Sequence, residues 1–461
     1  MKPQYEELEE LVQRLNQRLR ELEQVVIELR TENSELKSRL EKHSKNSSKP
    51  PSTDSKANLP SSPNRGQRPY HPGASRTLLP EEMVSSRETR TLSICPRCRS
   101  QMEPTGDSAK WQQIELPPIK PLVHQIELVT CRCTRCSLLV TPELSEQESL
   151  LLGPRLEGLV NLLMAQFRQG HQSVRSFLEM LIPGLHLSQG LIAKIKRRAS
   201  LAFDHATEAF TQVLLAEDAP KMIDATGWRH CGTNWHAIVL RTQTVVRYAI
   251  VRCQNQDVTA TLLGRKKHAV VSDRGFPLDQ KFARLHQYCL AHLLRNIQGM
   301  ADHEGTNIEE AQALGEVHER LQGLFHDRHR YEKGQIAKSS YLMYGYRDWA
   351  YMRTQFESLA TEGTQEKLKR FSRRILRDWK KFMTYLSTDG PMTNNLAEEA
   401  LRNLVIVRRL CFGSRSDYGR RWRECLHSCV ETLRRRGKDV LDFLSETIRA
   451  FRYGTPYPAS G

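Results

Sequence analysis

Asp224 and Asp273 each stand at the end of a short run of strand-like residues, 221–224 and 268–272, and lie 49 residues apart (273 − 224). In an open α/β sheet, sites assemble at the carboxyl ends of strands. The interval is long enough for a hairpin, a third strand and a crossover helix, so the two carboxylates converge from neighbouring strands. Converging carboxylates repel each other unless a cation lies between them. Magnesium, or manganese, suits an all-oxygen site that keeps waters for a phosphate. Two such ions activate the attacking oxygen and stabilise the leaving one in phosphoryl transfer. A third carboxylate is offered by residues 390–402, GPMTNNLAEEALR, where a polar turn opens a helix. Thr393, Asn394 and Asn395 are candidate caps, and Glu398 and Glu399 fall in the first turn. Either glutamate could reach the ions, or the pair could simply complement the helix dipole. Arg402, four residues beyond Glu398, is placed to steady it.

The cysteines carry a second chemistry. Cys95-Pro-Arg-Cys98 and Cys133-Thr-Arg-Cys136 are two Cys-x-x-Cys knuckles, together the ligand set of one structural, tetrahedral zinc ion. The long interval between them requires a hairpin or loop, and Cys131 is an alternative to Cys133. Cys289 and His292 form a Cys-x-x-His half-site without an evident second half. The residue reading favours a core cysteine and a polar histidine near the sheet edge; the alternative is that His292 faces the catalytic ions.

These side chains need elements to position them. Around residue 220 the sequence turns to short strands: KMID, WHAIVL and VVRYAIV, with 231–234 as a hairpin turn between the first two. A short helix at 257–263, the strand HAVVS, another brief helix and the strand-like HQYC follow. Three antiparallel strands, a helix, a strand, a helix and a strand give an α/β sheet of RNase H-like order. Residues 291–386 read almost entirely as helices. Upstream, 172–180 and 188–198 are two helices around a Pro-Gly break, with Ser188 as the second helix's cap. The second carries Lys194, Lys196, Arg197 and Arg198, the pattern of a helix-turn-helix reader of the major groove.

At the N-terminus, Leu8, Leu15, Leu22, Leu29 and Leu36 recur every seventh position, and Tyr5, Val12, Leu19, Val26, Asn33 and Leu40 form the companion set. Leucine at d with valine at a favours a parallel two-stranded coil, and a buried Asn at a fixes its register, so the chain is expected to form a homodimer or higher oligomer. Residues 43–80 hold seven of the 21 prolines and read as a flexible linker. The expected organisation is a coiled coil at 1–42, a linker at 43–88, a zinc module at 89–140 and a helical DNA-binding region at 141–215. A catalytic domain follows at 216–290 and 391–450, interrupted by a helical insertion at 291–390. The chain of 461 residues carries a formal net charge of +16, which points to a polyanionic partner. No apolar run approaches the roughly 20 residues that cross a bilayer, so a cytoplasmic, nucleoid-associated protein with reduced thiols is expected.

Taken in order along the chain, these motifs resemble the transposases of insertion sequence 66. The resemblance lies in NSSKPPSTD at 46–54, HPGASR at 71–76 and the cysteine elements at 95–98 and 131–136. It continues through DATGW at 224–228, VVSD at 270–273, CLAHLLR at 289–295, NNLAEEALR at 394–402 and FGS at 412–414. It implies a DDE enzyme on an RNase H-like fold with a helical insertion before the glutamate. It assigns Asp224, Asp273 and Glu398 as the ligands of two Mg2+ (or Mn2+) ions. It implies double-stranded DNA as partner, both the element's terminal inverted repeats and the target, and small accessory transposition proteins. Glu399 stands where the family commonly has arginine, and 229–240 is less typical of it. The alternatives are a non-catalytic, transposase-derived DNA-binding regulator and an RNase H-like nuclease that cuts without joining.

Overall fold

The computed structural model describes residues 14–26, 28, 29, 33, 77–264, 267–278 and 283–459. The chain forms two compact units, one of 60–126 with 181–183 and the other of the rest. In the smaller unit a 3-10 turn, Glu81–Met83, lies inside the stretch read as linker. Glu81 pairs there with Lys110 at 2.6 Å and Arg87 at 2.8 Å.

The larger unit contains helix α1, residues 14–26, on which Leu15, Leu19, Leu22 and Val26 are exposed to 45–57%. Leu8 and Leu36, and the residues to 76 of the expected linker, lie outside the described residues. Strands β1 (Cys131–Arg132) and β2 (Leu139–Val140) form a small antiparallel ribbon. Then come α2 (Pro154–Ala165), α3 (His171–Leu181) and the long α4 (Gln189–Ala216). Ser188 caps α4, its hydroxyl accepting from the Leu191 amide at 3.0 Å.

The central sheet contains β3 (Lys221–His230), β4 (Thr233–Arg241), β5 (Val246–Val251), β6 (His268–Ser272) and β7 (Ala283–Tyr288) in the order β5-β4-β3-β6-β7. β3, β4 and β5 are antiparallel neighbours, while β6 and β7 join in parallel. Helix α5 (Gln256–Leu263) links β5 to β6. Cys231 and Gly232, at φ 47° and 79°, make the two-residue turn of the β3–β4 hairpin, whose positive dihedrals match the right-handed twist of the strands. No helix stands between β6 and β7 among the described residues, where the sequence led us to expect one.

Alternation along the strands (period 2) divides the core. Ile223, Ile238, Leu240 and Val270 face a layer built from α2, α3, α4, α13 (Asp417–Arg435) and α14 (Val440–Tyr453). The expected boundary at 215 therefore falls inside one continuous hydrophobic core. Met222, Val239, Tyr248, Ile250 and Val271 face the other way, onto α12 (Asn395–Cys411). Between β7 and α12 come α6 (Leu290–Ala301), α7 (Ile308–Glu332), α8 (Lys338–Thr361), α9 (Glu366–Arg377), α10 (Trp379–Phe382) and α11 (Thr384–Thr388). They bury a core of their own around Trp349, Phe356 and Phe382. No described helix is long and apolar enough to cross a membrane.

Candidate active site

Asp224 is not at the end of its strand. β3 runs six residues further because its antiparallel pairing with β4 continues to His230, but its parallel pairing with β6 stops at Met222↔Val271. Two residues beyond that pair on each strand stand Asp224 and Asp273. Alternation puts Asp224 with Met222 and Asp273 with Val271, both on the α12 face, where Glu398 lies in the first turn of α12.

Buried Asn394, the α12 N-cap residue, ties the three stretches together. Its side chain does not cap the helix; instead its amide Nδ2 donates to the Ile223 carbonyl, beside Asp224, at 2.9 Å. Its backbone N–H donates to Cys289 Sγ at 3.2 Å, and its carbonyl accepts from the Glu398 amide at 3.1 Å. The adjoining backbone holds the same junction, since the Cys289 amide donates to Ser272 and the Leu290 amide to Met392, each at 3.0 Å.

His292, on α6, stands among the acids. Its Nδ1 is 2.9 Å from Asp273 Oδ1 and 3.5 Å from Glu398 Oε1. Arg295 Nη2, one turn on, lies 3.4 Å from Glu398 Oε1. This arginine, not the exposed Arg402, is the cation that reaches Glu398. Glu399 turns away, with 59% of its side chain exposed, toward Arg241 at 4.0 Å and Arg435 at 3.7 Å. Asp273, Cys289, His292 and Glu398 bring one potential ligand atom each to within 4.8 Å of one another.

The electrostatics are those of a site that demands a cation. Burial, and then the charge of Asp273, push the Asp224 carboxyl up to about 7. Burial works against a charge on His292, but contact with Asp273 and Cys289 outweighs it and holds the imidazole up to about 10. Asp273 Oδ1 and His292 Nδ1 are both buried and, although close, are not aligned as a hydrogen bond. The ion pair therefore leaves the carboxylate oxygen without a well-aligned hydrogen bond; a divalent ion on the carboxylates would satisfy it. The donor set therefore fits a metal site.

In the metal-free protein the protonated Asp224 is the better-accommodated form, which fixes a sign. Its stabilising contribution is full below the ordinary carboxyl value of 3.8 and is lost as the pH rises to about 7. With a chelator present, the thermal midpoint should fall over that window, and Asp224→Asn should flatten the fall. A variant with the same pH slope as wild type would show that Asp224 is not held this way.

A cavity of about 690 Å³ opens on the two aspartates and is lined by His292, Asn296, Arg274, Arg374 and Arg377, among others. At the far end of β3, Ser414 fastens the strand to the segment after α12. Its hydroxyl accepts from Trp228 Nε1 at 3.1 Å and lies 2.9 Å from His230 Nδ1. Gly413, at φ 111°, has no room for a side chain, since a Cβ would collide with the Arg229 carbonyl. Gly413→Ala should therefore cost about 3 kcal/mol or more, read as a shift in the urea midpoint. An unchanged midpoint would show that the turn relaxes freely.

The model of a family described as Transposase IS66 family matches residues 157–421, more than half the chain. The chain belongs to the IS66 transposase family. A second model, of a family of unknown function (DUF6444), matches residues 1–78. No curated protein matches the chain. As an IS66 transposase it is a nucleic-acid-transferring enzyme of DNA transposition and recombination, with DNA as its partner, and the family suggests use of divalent metal.

The four basic residues expected to read DNA are placed unequally in this transposase. Lys194 and Arg197 are exposed on α4. Arg198 is bound to the buried Glu157, and Lys196 lies against the Trp422 ring at 4.6 Å from its centre. The two cysteine knuckles have the same local form. Cys95 accepts from the Arg99 amide and Cys133 from the Ser137 amide, both at 2.9 Å, and Arg99 and Ser137 have φ 62° and 59°. Cys131 lies outside that pattern, on β1. Hydrogen bonding, led by Ser100, brings the Cys98 thiol down to about 7, and backbone donors at Cys136 and Arg135 lower Cys133.

His292, Arg295, Cys289 and Asn394 are the site residues that residue spacing underrated. The Cys-x-x-His spacing was the available signal for two of them. Nothing local marks Asn394 as anything but a cap.

Proposed function

We propose that this transposase binds the terminal inverted repeats of an insertion sequence and cuts and joins DNA by a DDE mechanism, with Asp224, Asp273 and Glu398 holding two Mg2+ or Mn2+ ions. The observation that carries the reading is the convergence of three acidic side chains on one face of the sheet, beside a cavity walled by Arg274, Arg374 and Arg377. When bound, such ions neutralise the phosphate and lower the barrier to attack and departure of oxygen.

The chain's own residues do the positioning. Arg274, Arg374 and Arg377 hold the phosphodiester by charge. Arg295 orients Glu398, and His292 orients Asp273. In the first step water attacks phosphorus, the bond to the 3′-oxygen breaks, and a 3′-hydroxyl is released. In the second step that hydroxyl attacks a target phosphodiester; a new P–O bond forms and the target's own 3′-oxygen leaves. No covalent intermediate with the protein is needed.

The sheet order β5-β4-β3-β6-β7 supports our reading of an RNase H-like core, with α6–α11 as its insertion. We propose, on their Cys-x-x-Cys spacing, that Cys95 and Cys98, and Cys133 and Cys136, are zinc ligands; the matching local form of the two knuckles favours Cys133 over Cys131. Metal analysis of the purified chain should give about one zinc per chain, and Cys133→Ser should lose it while Cys131→Ser keeps it. The exposed apolar stripe of α1 supports pairing of two chains as a coil. Lys194 and Arg197 remain available to DNA.

The test supplies pre-cut element ends with free 3′-hydroxyls, a supercoiled target and Mg2+. Joined products that disappear with a chelator are the expected result. Cutting of uncut ends without joining would leave a nuclease, and duplex binding with neither step would leave a regulator.

A further inference from the structure

Around buried Trp422 on α13, basic side chains gather without an acid. Lys196 Nζ lies 4.6 Å and the Arg423 guanidinium carbon 4.8 Å from the centre of that indole. The ring itself is fixed by donation to Asn161 at 2.8 Å. Arg423 Nη1 stands 2.9 Å from Nε2 of the fully buried His427, and its Nη2 is 3.9 Å from Cys411 Sγ. The exposed Arg168 and the half-buried His171 feel the same group through charge rather than contact. The charges of Lys196 and Arg423 depress His171 after burial does, and those of Arg423, Arg168 and Lys196 depress His427 after burial does. Burial, then Arg423, brings the Lys196 amine down to about 8, and the one neighbour that acts the other way is the Cys411 thiol.

The contrast with the rest of these helices is what matters. Arg198 is paired with Glu157, Arg421 with Asp204, Arg420 with Glu424 and Arg435 with Glu431. Among the described residues, no carboxylate acts on Lys196, Arg423 or His171. Arg168 has instead the neutral Asn403 Oδ1, at 2.7 Å, as its acceptor. It is also a non-glycine residue at φ 60°, a conformation that persists where the surroundings impose it and that clusters at ligand clamps. Lys196 and Arg423 are largely withdrawn from water, and cations withdrawn without a counter-charge are unfavourable; Arg168 is exposed beside them. The chain supplies acids to their neighbours and leaves this group for an anion from outside.

We propose that Lys196, Arg423, Arg168 and His171 form an anion site that takes one phosphodiester of the DNA backbone. This rests on the transposase reading and moves Lys196 from a reader of bases to a contact that fixes the duplex in place, as phosphate contacts do. The site is distinct from the cavity at the aspartates.

The experiment measures binding of a labelled duplex lacking element ends to the full chain, without divalent ions, over about 50–200 mM salt. Lys196→Gln should weaken binding about eightfold at 0.1 M salt and reduce the slope of log K against log salt by about 0.9, the signature of one lost phosphate contact. Lys196→Arg should keep both. With no DNA present, Lys196→Gln should unfold no earlier than wild type, because an uncompensated charge has been removed. The same duplex should raise the wild-type midpoint more than it raises that of Lys196→Gln. An unchanged salt slope in Lys196→Gln would overturn the proposal. So would thermal protection by inorganic phosphate without a change in that slope, which would assign the site to free phosphate. Because no metal is present, either result is independent of whether the carboxylates cut and join DNA.

Discussion

Glu398→Gln should lower strand cleavage and joining by at least about 10³-fold, while Glu399→Gln leaves both within about threefold of wild type. The two glutamates are adjacent in sequence and differ in direction. Glu398 faces His292 and Arg295 beside Asp273, so its charge is available to ions that also bind the aspartates. Glu399 is mostly in solvent, near two arginines that have other partners. Exposed pairs of that kind contribute little. Asp224→Ala and Asp273→Ala should match Glu398→Gln, and all three variants should still bind end DNA. The readout is product on a sequencing gel at saturating Mg2+. An active Glu398→Gln or an inactive Glu399→Gln would exchange their roles and remove the proposed triad.

Asn394→Ala should reduce joining by about 10- to 100-fold, the usual effect of losing a residue that orients a metal ligand. It removes the amide that holds the Ile223 carbonyl next to Asp224, leaving a buried acceptor unpaired at a cost of about 1–3 kcal/mol. Stability alone would not distinguish a positioning role from a packing one. The Mg2+ dependence does: loosened carboxylates bind ions more weakly, so the half-saturating Mg2+ concentration should rise and excess Mg2+ should recover part of the rate. Asn394→Asp loses the same donor and adds a charge near Asp224, and should be worse. A variant that is less stable but has an unchanged Mg2+ profile would show that Asn394 only packs.

Much of this was legible in the residues. Strand β6 was delimited by its apolar run, and β3, β4 and β5 were found with shorter or slightly shifted ends. Asp224 and Asp273 were singled out because each stands at the end of such a run, and the structure puts both beside one cavity. The stretch 291–386 was read as almost entirely helical and is so, and Ser188 showed in the chemistry of caps. The helix expected between β6 and β7 is absent from the described residues there. The strand end at Asp224 was misplaced because the apolar run stops while pairing with β4 goes on; a hairpin partner, not local composition, extends the strand.

The sequence by itself determined which acids and cysteines are present and at what spacing, the basic charge and the alternation that gives each strand two faces. Those are properties of residue type and of period, and they hold before the chain folds. Only the tertiary structure decided which of two adjacent glutamates turns inward, that Arg295 rather than Arg402 meets it, and that Asn394 joins three separate stretches instead of capping a helix. It also decided that Lys196 and Arg198, drawn from one basic run, separate into a cation without an acid and a buried ion pair. In each instance the outcome depends on what a distant segment places opposite the side chain, and that opposition arises only when strands pair in register and helices pack across them.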